Sequence, residues 1–159
     1  MNLKYLILDF DGVFTDGGFY YSKEGKQLKK FGPDDSDALN FIRKFIKVSI
    51  ITADENGFDI SNKRINDIGL ELNLVKTQRL DWINKKYNIN QVIYVADSFT
   101  DYHIFKEVAY SICFNNSDEE LKKIADFVTQ KDSGKRGLAQ AIDHILNKFF
   151  DNSIYNYTK

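Results

Sequence analysis

Five oxygen-bearing side chains stand at the ends of short apolar runs: Asp9 and Asp11 after LIL, Thr52 after VSII, Asp97 and Asp101 after VIYVA. Asp9, Asp11 and Asp97 brought together would repel one another and be costly to bury. A divalent cation resolves that cost, and Mg2+ prefers oxygen ligands and commonly shares a substrate phosphate. The hydroxyls of Thr52 and Ser98, with a basic residue, would then suit a phosphate. A carboxylate can attack phosphorus and form an aspartyl-phosphate. A second carboxylate, separated by one residue, can act as general acid to the leaving group. Asp9 and Asp11 taken alone could equally cap a turn, and Asp16, before Gly17, reads as a turn residue.

The elements that would position these residues alternate. KYLILDF, KVSIITA, LELNLVK, QVIYVADS, AYSICF and DFVTQ read as short buried strands. DSDALNFIRKFI, with Asp35 or Ser36 as cap, FDISNKRINDIG, TQRLDWINKKYN, TDYHIFKEV, SDEELKKIA and RGLAQAIDHILNKFF read as helices. GFYYS and QLKKF around KEG read as a β-hairpin over about residues 18–31. The alternation predicts an α/β fold, a doubly wound Rossmann-like parallel sheet with helices on both faces. In such a sheet ligands sit beyond the carboxyl ends of the strands. That edge gathers Asp9, Asp11, Thr52, Asp97 and Asp101, so the turn reading of the first two becomes the minor one.

The chain has 159 residues, 43% hydrophobic and 28% charged, with a net charge of -1. This size and balance suit one folded domain, expected over 1–150 with a tail at 151–159. They argue against a nucleic-acid binder, which carries a basic excess. No apolar run is long enough for a membrane span and no leader is read before LILDFDG, so the cytoplasm is the expected location. The lone Cys113 has no disulfide partner and reads as a small buried residue of its strand. The tail, FFDNSIYNYTK, is read either as disordered or as packed on a partner subunit.

At these residues the sequence resembles the haloacid-dehalogenase superfamily. DFDGVFTDG is similar to its first motif, Asp-x-Asp-Gly-x-x-Thr/Val, SIITA to its second, and IYVADSFTD to its fourth, Gly-Asp-x-x-x-Asp. The hairpin segment, ITADENGFDISNKRINDIGLEL and IADFVTQKDSGKRGLAQAIDHIL are similar to its capless sugar-phosphate phosphatases, which act on octulosonate 8-phosphates or nonulosonate 9-phosphates. Only about 40 residues separate the first two motifs, which in this family goes with a hairpin flap and no separate cap domain. The resemblance implies a Mg2+-dependent phosphomonoesterase. Asp9 would be nucleophile and metal ligand. Asp11 would be general acid/base, with its backbone carbonyl on the metal, and Asp97 the third protein ligand. Thr52 would bind the phosphoryl oxygens, and Asp101 and Ser98 would support the metal site. It also implies a homotetramer built through the hairpin, whose FYY aromatics need cover.

The departures are specific. The family's third-motif Lys falls on Arg79, or on nearby Lys76. Ala96 replaces a Gly, and Ser98 an Asp. The Arg-Asp-Gly after the hairpin reads DDS at residues 34–36, and ADE replaces the basic residue that follows the second motif. The last two changes bear on which sugar phosphate is used, leaving another small sugar phosphate as an alternative. The changes at 79, 96 and 98 leave room for a non-catalytic module. Arg64 reads as a surface ion pair ahead of a site residue, and Asp101 as cap or metal-site residue. His103, His144 and Trp82 read as packing or surface. Lys135 and Arg136 read as a solvated pair ahead of a substrate contact.

Overall fold

The computed structural model describes residues 2–158; Met1 and Lys159, the outer ends of the expected domain and tail, lie outside them. Six parallel strands form one sheet in the order β5-β4-β1-β6-β7-β8. They are β1 (Tyr5–Asp9), β4 (Lys47–Thr52), β5 (Leu72–Leu74), β6 (Val92–Val95), β7 (Tyr110–Cys113) and β8 (Phe127–Val128). β2 (Thr15–Ser22) and β3 (Gly25–Phe31) form the antiparallel hairpin, which starts three residues earlier than the sequence suggests.

Side chains of consecutive strand residues point to opposite faces, and each face has its own apolar layer. Leu6, Leu8, Ile50, Ile93 and Ile112 pack with helices α1 (Asp35–Ile42), α2 (Phe58–Asp67) and α6 (Gly137–Phe150). Ile7, Ile51, Val92, Tyr94 and Cys113 pack with α3 (Arg79–Lys86), α4 (Tyr102–Phe105) and α5 (Glu119–Ile124). The doubly wound reading therefore holds, and between β1 and β4 stand only the hairpin and α1. Burial pushes the Cys113 thiol up to about 12, as suits an inert core residue. His144 also packs inward: its ring stacks 3.6 Å from Phe127, and the Tyr110 hydroxyl lies 2.9 Å from its Nε2.

Two expectations need correction. The segment after α6 does not hang free. Ser153 Oγ donates to Asp143 Oδ1 at 2.7 Å, and the Tyr157 ring meets Phe41 at 5.4 Å, so it folds back on its own chain. The start of α1 also differs. Asp34 takes the cap position in a left-handed conformation without a side-chain cap bond, and Asp35 is buried in the first turn. The reason is packing: Gly32, Asp35 and the Gly134 carbonyl crowd together so closely that a Cβ on Gly32 would lie 2.8 Å from that carbonyl oxygen.

Asp35 Oδ1 has no hydrogen-bond partner. Burial pushes its carboxyl up to about 7, against the Ala139 backbone and the Arg64 charge. A raised carboxyl favours folding below its unfolded value near 3.8 and loses that contribution as pH rises through about 7. Asp35→Asn should therefore remove a pH-dependent penalty, gaining on the order of 3 kcal/mol over wild type between pH 4 and pH 8. Urea unfolding at both pH values measures it; a difference independent of pH would refute it.

Candidate active site

β1, β4 and β6 end side by side, and their exits carry the expected residues to one edge. Asp9 ends β1, Thr52 ends β4, and Asp97 follows β6. Asp9 and Asp97 border an open cavity of about 390 Å³ that Asp11, Arg79, Lys26 and Phe19 also help to line, while Thr52 lies buried behind it. The loop after β1 turns back at Gly12, with φ of 77°. A Cβ there would fall 1.9 Å from Asp97 Oδ2, so only glycine lets the two loops approach this closely.

Arg79, the first residue of α3, reaches this edge. Its Nη1 donates to Asp9 Oδ2 at 3.2 Å and to Asp101 Oδ1 at 2.7 Å. Lys76 instead pairs with Glu55 at the surface, so Arg79 is the basic residue brought to Asp9. Asp101 is fully buried and also accepts from the Tyr94 hydroxyl at 2.7 Å. Asp101 takes the cap position of α4 but makes no side-chain cap bond there, and Ser98 caps the preceding 3-10 turn, accepting from the Thr100 backbone N–H; Ser98 also borders the cavity.

Charge at this edge is unbalanced. Burial, reinforced by the Asp101 carboxylate, pushes Asp9 up to about 8 despite Arg79. Burial and the same neighbour push Asp97 up to about 6. Burial opposes the charge of Arg79, yet Asp9 and Asp101 outweigh it and hold the guanidinium well above its ordinary value. Buried Asp9 and half-buried Asp97 face one cavity, and Arg79 pairs with Asp9 and Asp101 rather than with Asp97, an arrangement that suits a further cation. Among the described residues, no three His, Cys, Asp or Glu side chains form a ready ligand set. The Asp11 carboxylate is turned aside: Oδ1 accepts from Lys29 Nζ at 2.6 Å and Oδ2 from the Thr52 hydroxyl at 3.2 Å. Any part of Asp11 in holding a metal would thus fall to its backbone oxygen.

Three contributors were not singled out from the sequence: Tyr94, Lys29 and Asp54. Tyr94 reads as plain core because its strand is apolar throughout. Lys29 lies on β3, where simple alternation would bury Leu28 and expose its neighbour. The structure inverts this, with Leu28 at 62% exposure and Lys29 at 8%. An isolated apolar residue between Gln27 and Lys29 was the available signal. Asp54 lies in the ADE segment and accepts from both Lys26, at 2.5 Å, and Lys29, at 2.7 Å. These ammonium groups overcome its burial and hold its carboxyl below the ordinary value.

Other residues stay outside. Arg64 lies over the Phe31 ring at 5.8 Å rather than in a surface ion pair. Lys135 pairs with Asp132 and Arg136 with Asp34, all partly or largely exposed. His103 is exposed, and Trp82 packs half-buried against Tyr87.

A sequence profile described as haloacid dehalogenase-like hydrolase matches residues 39–142, about two thirds of the chain. The chain belongs to this hydrolase family. Its relatives include the 3-deoxy-D-manno-octulosonate 8-phosphate phosphatase of Haemophilus influenzae, 25% identical over 162 residues and covering 98% of this chain and 89% of that one. The cobalt-bound structure of the deoxy-D-mannose-octulosonate 8-phosphate phosphatase from that organism superposes with a TM-score of 0.81 at 25% identity, covering 92% of this chain and 88% of that one. The Yersinia pestis 3-deoxy-D-manno-octulosonate 8-phosphate phosphatase gives 0.77 at 27% identity, covering 92% and 82%. As a haloacid dehalogenase-like hydrolase the chain is an enzyme, and it shares its α/β fold with these phosphatases. No described helix is long and apolar enough to cross a membrane.

Proposed function

We propose that the protein is a divalent-metal phosphomonoesterase for a phosphorylated sugar acid of the octulosonate 8-phosphate or nonulosonate 9-phosphate type. The observation that carries the reaction is Asp9, buried at the strand edge with Arg79 beside it and Asp11 two residues beyond. The octulosonate-phosphate relatives, alignable over nearly the whole chain, carry the substrate class.

Asp9 attacks phosphorus in line, and the electron pair of the breaking ester bond passes to the leaving oxygen. Asp11 gives that oxygen its proton and later takes one from the water that hydrolyses the aspartyl-phosphate. Thr52 and Arg79 face the phosphoryl oxygens, where fixed donors stabilise the charge of transfer. Asp101 and Tyr94 hold the Arg79 head in place, and Ser98 orders the turn beside Asp97. Asp9, Asp97 and the backbone carbonyl of Asp11 would hold Mg2+, whose charge offsets the two carboxylates and the phosphate. The cobalt-bound relative supports a divalent ion in this role.

The test is turnover of a panel of sugar phosphates including octulosonate and nonulosonate phosphates, with and without EDTA. We expect a sugar-acid phosphate to lead the panel, chelation to stop it, and added Mg2+ to restore it. Preference for a neutral sugar phosphate would overturn the substrate class; full activity in EDTA would overturn the metal.

Phe19, Tyr20, Tyr21 and Leu28 leave 51–64% of their surfaces exposed on the hairpin. This face supports assembly as a homotetramer through the flap, and the modest net charge and lone buried thiol accord with the cytoplasm. Sedimentation at micromolar concentration should give four copies; a monomer would sink the assembly.

A further inference from the structure

Resting on the phosphatase reading, we infer that Lys29 is a positioning residue: by gripping one oxygen of Asp11 it dictates which oxygen exchanges the proton, and it ties that grip to the flap. The Lys29 side chain is fully buried, an expensive state for an ammonium unless its donors are satisfied. All three are. Nζ donates to Asp11 Oδ1 at 2.6 Å, to Asp54 Oδ2 at 2.7 Å and to Ser61 Oγ at 2.8 Å. Those acceptors come from three separate segments: the β1 exit, the β4 exit and α2. Lysine is the one residue on the hairpin that meets them all.

The grip has a chemical consequence. Asp11 Oδ1 is held by Lys29, while Oδ2 accepts, among the described residues, from the Thr52 hydroxyl at 3.2 Å, a longer contact with a group that can rotate away. Lys29 thus leaves Oδ2 as the oxygen open to proton exchange with the leaving group, in a residue that borders the cavity. When the phosphorus–oxygen bond breaks, its electron pair goes to the leaving oxygen and the Oδ2 proton follows. The Asp11 carboxylate that results remains paired with Lys29. The register of β3 also couples this to the flap. Lys29 pairs across the hairpin with Phe19, and Lys26, three residues back on β3, holds the same Asp54 oxygen. Displacing the flap therefore loosens Asp11.

A purely structural lysine would affect all substrates alike, whereas one acting through a general acid matters most when the leaving group is poor. The experiment measures kcat/KM for an alkyl phosphate and for 2,4-dinitrophenyl phosphate, whose leaving group needs no proton. Lys29→Met should lose about 100-fold on the alkyl ester but under about tenfold on the aryl ester. In the Asp11→Asn background the same change should cost under about threefold, because its target is already gone. Ser61→Ala, a mild change that keeps the charge, should show the same ester dependence at smaller amplitude, and it serves should Lys29→Met fail to fold. Equal losses on both esters, or a full loss in the Asp11→Asn background, would overturn the role of Lys29. A wild-type protein that hydrolyses neither ester nor any sugar phosphate would instead sink the phosphatase reading beneath it.

Discussion

Asp9→Asn is expected to abolish turnover, by at least about 10⁴-fold, while leaving the fold in place. The amide keeps the shape of the carboxylate but cannot form the acyl phosphate, so no other group in the cavity replaces it. Stability should hold because Arg79 keeps its 2.7 Å contact with Asp101. The flanking core residues Leu8 and Phe10 are also fully buried and untouched. Turnover of an aryl phosphate, together with thermal unfolding, measures both halves. A variant retaining wild-type activity would show that the phosphoryl group is not transferred to Asp9.

Arg79→Met carries the second large effect, and here fold and activity fall together. The guanidinium is the shared partner of Asp9 and Asp101, and the Tyr94 hydroxyl closes the same cluster. Removing one partner of a buried ion pair leaves uncompensated charge, at about 3–5 kcal/mol. Loss of a donor facing the phosphoryl group adds on the order of 100-fold or more in kcat. Arg79→Lys discriminates the causes. Both contacts to carboxylates use the single nitrogen Nη1, so an ammonium placed there can make them too. That variant should keep most of the stability and stay within about tenfold of wild-type turnover. Urea unfolding and steady-state kinetics on the pair of variants test this. If Arg79→Met were as stable and active as wild type, the cluster would have no part in either.

Much of this architecture was legible because it rests on local patterns. Apolar runs too short for helices, separated by segments of helical period, called for a parallel sheet, and the central runs, β1, β6 and β7, became strands buried on both faces. The Asp-x-Asp-Gly turn was visible for a similar reason: its residue types are dictated by backbone shape and charge at one point in the chain. The start of α5 is local as well, the Asp118 carboxylate accepting from the Glu120 and Leu121 backbone N–H groups. The start of α1 departs from the capping preference of its residues because Asp35 is buried beside Gly32, against which the Gly134 carbonyl, about a hundred residues away, is packed.

What the sequence alone determined, then, is the sheet and the delivery of Asp9, Asp11, Thr52, Asp97 and Asp101 to its carboxyl edge. Strand direction and side-chain alternation are local, and they suffice for that. The choice between Arg79 and Lys76 lay beyond it, since both precede or begin the same helix and only the path of the chain brings one to Asp9. Lys29 lay further still. Its burial reverses the alternation of its own strand, and three acceptors from distant segments compensate for it. Such a site exists only once the hairpin is folded onto the sheet edge, because no single segment can satisfy a buried ammonium by itself.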